Sequence, residues 1–218
     1  MKTKRNIIVS GSLLALFVAY TLVVAFVDVR EIGAGGTRVG LAALNEAAFA
    51  FFGVNLTLYA ITDWIGVVAI AVAFGFAVAG LVQLIRRKSL LKVDFEILAL
   101  GAFYIVVIGF YLFFEFVIVN YRPIILYEKP EALYPSSHVM IVLCISLSAI
   151  TALRRKIKSR TLIIAAEVSF AALAGFTVVG RLYSGVHWLT DIIGGIILSA
   201  ALESFYYSFV ALHARKCD

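Results

Sequence analysis

Six apolar runs, each long enough to cross a bilayer, constrain this chain more than any other feature of its sequence. They lie at about 7–27, 56–85, 95–120, 137–153, 161–180 and 187–212. A hydrocarbon core of about 30 Å takes about 20 helical residues to cross. Backbone polar groups in lipid must be satisfied within their own segment, which selects helices for such runs. Hydrophobic residues make up 63% of the chain and charged ones 15%, too little polar surface to cover a soluble domain of this length. The expected fold is therefore all-α: a polytopic integral membrane protein with six transmembrane helices, built as one membrane-embedded domain over residues 1–218.

The charges punctuate the runs. One side of the expected bundle carries three Lys/Arg before the first run, four at 86–92, five at 154–160 and two after the last run. The other side holds Arg30, Arg38, Arg122, Lys129 and Arg181. Basic residues concentrate on the cytoplasmic side of membrane proteins, so both termini are expected in the cytoplasm. The net charge of +6 is thus a topology signal, and a nucleic-acid partner is excluded; membrane lipids are the expected surroundings. The first run follows Lys2, Lys4 and Arg5 as a signal peptide would. Its length and the lack of a small-residue cleavage site mark it instead as an uncleaved anchor. Between the first two runs, Gly33, Gly35 and Gly36 mark a loop. Leu41, Leu44, Ala48 and Phe51 then recur at helical spacing, which fits a short helix on the outer interface. Cys144 and Cys217 have no metal-ligand neighbours and are not placed to bridge.

The chemistry-bearing residues gather at the outer ends of the runs. Only three histidines are present, and two stand in polar company. His187 precedes Asp191 by four residues at the expected start of the sixth helix, so the two share a face. A carboxylate there can hold one imidazole nitrogen and leave the other as a nucleophile. Arg181 is placed in the preceding loop, which Gly180 and Gly185 let bend closely. Pro135, Ser136, Ser137 and His138 read as a helix start. Its free N–H groups and hydroxyls suit phosphate oxygens, and His138 is placed to protonate a leaving oxygen. Arg122 and Pro123 end the third run, where a guanidinium can clamp a phosphoryl group at two oxygens. Tyr121, Tyr127, Tyr134, Tyr183 and Trp188 fit an aromatic belt at the same face. The third histidine, His213, sits at the opposite end. Asp63, Glu167 and Glu203 fall within runs, and Glu167 and Glu203 suit helix-to-helix hydrogen bonding.

In order and spacing these motifs resemble the type 2 phosphatidic acid phosphatase superfamily, membrane lipid phosphatases related to the vanadium haloperoxidases. The family pattern is Lys-x6-Arg-Pro, Pro-Ser-Gly-His and Ser-Arg-x5-His-x3-Asp. Arg122 and Pro123 match the first motif, Pro135, Ser136 and His138 the second, and Arg181, His187 and Asp191 the third. The resemblance implies a metal-free reaction without cofactor. His187 attacks phosphorus, Asp191 orients it, and His138 protonates the leaving oxygen and then activates water. Arg122, Arg181, Ser136, Ser137 and backbone N–H groups at 136–138 hold the phosphoryl oxygens. The implied substrate is a lipid phosphate or diphosphate, such as undecaprenyl diphosphate, phosphatidylglycerol phosphate or phosphatidate, at the outer face of a bacterial cell membrane. A lipid phosphotransferase or a non-enzymatic anion-binding membrane protein would use the same cations.

Three positions depart from the pattern. Glu115 stands where the family has lysine, Ser137 replaces a glycine, and Gly180 replaces a serine. A carboxylate within an apolar run is costly unless paired. Glu115 is therefore expected to pair with Arg122 or Arg181, and its loss to impair activity. Lys129 in the adjoining loop is the candidate replacement cation.

Overall fold

The computed structural model describes residues 2–126 and 128–217. Tyr127 of the expected belt lies outside them, and so does the side chain of Cys217. Among the described residues there are seven α-helices and no strand. They are α1 (Lys2–Phe26), α2 (Ala42–Phe52), α3 (Leu56–Arg87), α4 (Phe95–Phe116), α5 (Ser137–Lys156), α6 (Arg160–Ser184) and α7 (Leu189–Cys217). All but α2 are long and apolar enough to cross a membrane. The chain is thus a multi-pass all-α membrane protein.

Their surfaces say what solvent they face. Phe74 on α3 and Ile105 on α4 are 68% and 72% exposed, in the middle of their helices. Water would penalise each such side chain by about 1.5–3 kcal/mol relative to burial, whereas lipid does not. Polar side chains sit inside instead: Ser146, Ser148, Thr177 and Ser199 are buried, and the last three bond back to carbonyls or across helices. Helix packing here is therefore by small residues and hydrogen bonds, as lipid requires. Ser10 of α1 meets Ser204 of α7 at 2.8 Å. The helix α5 is central, against α3, α4, α6 and α7, while α1 packs along α7. Buried Phe17, Phe103, Phe114, Tyr134, Met140 and Tyr206 lie in the core that joins α1, α4, α5 and α7.

The helix ends sort into two sets. The basic residues Arg86, Arg87, Arg154, Arg155 and Lys156 close α3 and α5 at one end. There Asp94 accepts from Lys156 Nζ at 2.5 Å, Arg87 Nη1 at 2.8 Å and Gln83 Nε2 at 2.9 Å, binding α3, α4 and α5 together. Hydrogen bonds from Lys156, Arg87 and Gln83 hold its carboxyl far below the usual carboxylate range. Glu167 joins the same end through Arg154, 2.6 Å away, linking α5 to α6.

At the opposite end, α3 starts under an Asn55 cap that accepts the Leu58 N–H at 3.0 Å, a contact worth about 1 kcal/mol. The helix α4 stops at Phe116, four residues short of the expected 120. The released segment folds back, with a bridge between Tyr121 and Ala132 and a Leu133 N–H bond to the Asn120 carbonyl at 3.0 Å. The turn after α6 passes through Gly185 at φ +66°. A Cβ there would lie 2.2 Å from the Gly53 carbonyl oxygen, so this tight turn needs glycine on both counts. It delivers Val186 and His187 just before α7.

The helix α2 lies against the starts of α7 and the end of α6. Leu44 and Phe51 are 46% and 79% exposed, whereas Asn45 is fully buried. Leu44 and Phe51 of the expected stripe thus face outward, whereas Ala48 is half-buried, Leu41 packs on the core, and the polar residue faces the protein.

Candidate active site

The expected site residues lie at the end of the bundle away from the basic clusters, although Glu115 pairs with neither arginine and Lys129 lines no part of the cavity there. His187 is buried between α6 and α7, 4% exposed. Neither of its ring nitrogens has a hydrogen-bond partner among the described residues. Burial is the main reason its pKa lies well below the ordinary histidine value; Arg181, Arg122 and His138 lower it further. The ring is therefore neutral, with a lone pair available to an electrophile.

Asp191 does not hold that ring. Its Oδ1 accepts from Asn120 Nδ2 at 3.1 Å, and its Oδ2 from the Trp188 backbone N–H at 3.0 Å. The reason is where the helix begins. α7 starts at Leu189, so His187 precedes it, and four-residue spacing no longer brings the two side chains together. Asp191 sits in the first turn and reaches back to the N–H just before the helix, as a capping carboxylate does. It fixes the turn that carries His187.

Arg181 lies in the last turn of α6 rather than in a loop. Its side chain is fully buried. Nη2 donates to Asp63 of α3, and the guanidinium carbon lies 4.9 Å over the Tyr59 ring. Nε and Nη1 have no acceptor among the described residues. Arg122 sits on the folded-back segment, with its backbone N–H bonded to the Glu131 carbonyl at 3.0 Å. Its Nε is 2.6 Å from Glu131 Oε2. That is an ion pair by distance without hydrogen-bond geometry, since Nε and Nη1 remain without an acceptor.

Ser136 caps α5 and is buried, with an unpartnered hydroxyl. Its backbone N–H is already bonded to the Asp191 carbonyl at 2.9 Å. The phosphate-facing amides expected at 136–138 thus reduce to those of Ser137 and His138, both in the first turn of α5. Ser137 and His138 are half-buried and line a cavity of about 630 Å³ with Arg122, Glu131, Glu115 and Tyr111. Phe110, Phe114 and Ile118 of α4 form its apolar wall.

Glu115 pairs with neither arginine: Glu131 partners Arg122 and Asp63 partners Arg181. It is exposed on the cavity wall beside Tyr111, so no buried charge needs compensation. Lys129 is exposed on the loop and is not among the cavity-lining residues. Gly180 faces α3 inside a helix: a Cβ there would come within 2.5 Å of Thr62 Cγ2. The missing serine is therefore a packing requirement of the α3–α6 contact. Among the described residues, no group of three or more His, Cys, Asp or Glu side chains gathers as metal ligands do.

Two expected belt aromatics are internal. Trp188 is 3% exposed, and its indole N–H donates to the Tyr121 carbonyl at 2.7 Å. The Tyr134 hydroxyl meets Thr21 Oγ1 at 2.8 Å, and burial raises its pKa. Tyr183 does lie exposed at this end, against Phe52.

Sequence reasoning missed three supports. Asn45 Nδ2 donates to the Gly40 carbonyl and to Thr190 Oγ1, both at 2.9 Å. Asn120 also reaches Thr190, at 3.3 Å. Two buried amides from distant segments thus hold the start of α7. The third is Asp63, whose Oδ1 lies 3.0 Å from His138 Nε2. A carboxylate within an apolar run was its one visible signal.

Buried cationic and hydroxyl donors without protein acceptors, set beside a neutral imidazole, suit a tetrahedral oxyanion. Comparison with curated proteins finds no match. Among solved structures, the fold is similar to the first transmembrane PAP2 type phosphatidylglycerolphosphate phosphatase from Bacillus subtilis, with a TM-score of 0.62 and 18% identity over 93% of this chain and 96% of that one. Residues 97–215, more than half of the chain and including α5, α6 and nearly all of α7 with both histidine motifs, match the PAP2 superfamily. The chain belongs to that superfamily and is a membrane phosphatase.

Proposed function

We propose that this protein hydrolyses a lipid phosphate monoester or diphosphate at the outer membrane face through a phosphohistidine on His187. One observation carries the reading: Arg122, Arg181, Ser136 and His187 all present buried polar atoms without acceptors at one end of the bundle. A lipid substrate is supported by the cavity, where apolar Phe110, Phe114 and Ile118 meet polar Arg122 and His138. An amphiphile with its phosphate at Arg122 would leave its chain against α4. The outer face is supported by the basic clusters at the opposite end. The whole chain is read as a single domain.

The chemistry runs in two steps. A ring nitrogen of His187 attacks phosphorus, a P–N bond forms, and the P–O bond to the lipid breaks. His138 gives its proton to the departing lipid oxygen. Water then attacks the phosphohistidine, His138 takes a proton from that water, and the P–N bond breaks to release phosphate. Arg122 and Arg181 stabilise the negative charge that spreads over the phosphoryl oxygens in both transition states. Asp191, with Asn120 and Trp188, holds the turn that aims His187.

The test uses protein purified in detergent with a chelator present. It is offered a panel of lipid phosphates and diphosphates beside His187→Ala. The parent should release phosphate and form an acid-labile phosphoprotein, and the variant should lose at least about 10³-fold in rate. Equal release by both would refute the nucleophile. Strict dependence on added metal would refute the mechanism, and a phosphorylated acceptor lipid in place of free phosphate would make the protein a phosphotransferase.

A further inference from the structure

We propose that Asp63 is a positioning residue that locks the acid/base His138 and the phosphate clamp Arg181 to one another. Asp63 lies on α3, outside the 97–215 segment that matches the superfamily. One carboxylate oxygen, Oδ1, accepts from Arg181 Nη2 and lies 3.0 Å from His138 Nε2, an ion-pair distance without hydrogen-bond geometry. The proposal rests on the reading of His138 as the acid/base of the reaction.

Two neighbours on α3 and one glycine on α6 build this contact. Thr62, buried and bonded to the Leu58 and Tyr59 carbonyls at 2.9 Å, packs directly on Gly180. A side chain at position 180 would push α3 away from α6. The absence of a Cβ there thus brings Asp63 within reach of Arg181, the next residue along α6. One turn further on, Gly66 lies against the His138 ring: a Cβ at 66 would be 3.1 Å from Cδ2. The imidazole rests on bare helix backbone, with its Nε2 turned to Asp63.

The arrangement has a chemical consequence. A carboxylate 3.0 Å from Nε2 favours a proton on that nitrogen and leaves Nδ1 to exchange a proton with the lipid oxygen. It also stabilises the imidazolium, as the third member of a catalytic triad does for its histidine. On Arg181 it occupies one nitrogen and leaves Nε and Nη1 without an acceptor, so the guanidinium is held rather than neutralised at all its donors. A single anion thereby sets the relative position of the proton donor and the phosphate clamp, which positioning catalysis demands to within a fraction of an ångström.

The experiment compares Asp63→Asn and Asp63→Glu with the parent in lipid-phosphate turnover, inhibition by inorganic phosphate, and ¹⁵N spectra of the His138 ring. Asparagine keeps the shape but removes the charge. It should lower kcat about 10–100-fold while inorganic phosphate binds as tightly as in the parent or up to several-fold more tightly. Asp63→Glu should recover part of kcat, and the His138 ring signals should shift in Asp63→Asn. A kcat for Asp63→Asn within about twofold of the parent would overturn the proposal. So would a loss confined to phosphate binding, or equal losses in both variants, which would make Asp63 a helix tether only. The ring spectrum needs no turnover: if the parent proves inactive, unchanged His138 signals in Asp63→Asn overturn the positioning role independently of the phosphatase reading.

Discussion

Single residues carry the divergence from the family pattern, and each has its own physical reason. Gly180 is set by the 2.5 Å approach that a Cβ would make to Thr62. Gly180→Ser should therefore destabilise the fold by about 1–3 kcal/mol, as overpacking does. Thr62→Ala in the same chain should restore most of that loss, read by thermal unfolding in detergent; additive losses in the double variant would remove the steric explanation. Glu115 is different in kind. From sequence it looked like a charge in lipid that must be paired, but the helix ends just beyond it and its side chain is exposed on a cavity wall. Asp63 is the reverse case. It stands in an apolar run as plainly as Glu115 does, yet it is the carboxylate that finds both a histidine and an arginine. Nothing local distinguishes the two, because the difference lies in which helix each faces.

At the scale of elements, helix existence was legible and helix ends were not. The six runs became six long helices because apolar length alone dictates them in lipid. The start of α7 at Leu189 instead of His187 is a shift of two residues, but it decides that Asp191 caps the helix and does not hold the imidazole. Likewise the end of α4 at Phe116 releases Asn120 to reach Asp191 and Thr190. At the opposite end, Asp94 ties three helices through Lys156, Arg87 and Gln83. Its folded-state pKa is depressed, so its contribution is present above the unfolded carboxylate pKa of about 3.9 and disappears as pH falls through the lower folded value. Asp94→Asn should lower the unfolding temperature at pH 7, and the gap between variant and parent should narrow as pH drops below about 4. A gap that stays constant down to strongly acidic pH would show that charge at Asp94 is not what binds these helices.

Across the whole molecule, the two ends of the bundle divide the labour. One end holds the basic clusters and the Asp94 network; the other holds every converging site residue under α2 and the folded-back segment. By the positive-inside bias the site is proposed to face outside. In a Cys217→Ser background, Glu128→Cys should react with an impermeant thiol reagent on intact cells, and Lys88→Cys only after permeabilisation. The opposite pattern would invert the topology. The sequence by itself determined the solvent and the helix count, and it pointed to the arginines, serine and histidines of the candidate site at one end of the bundle. These follow from run length, charge placement and motif spacing, all of which are properties along the chain. Only the tertiary structure decided who partners whom: Asp63 with His138 and Arg181, Glu131 with Arg122, Asp191 with Asn120, and Asn45 with Thr190. These contacts join segments up to 145 residues apart, and hydrogen bonds form over ångströms, so helix ends and close helix approaches choose among carboxylates and amides that look equivalent in one dimension.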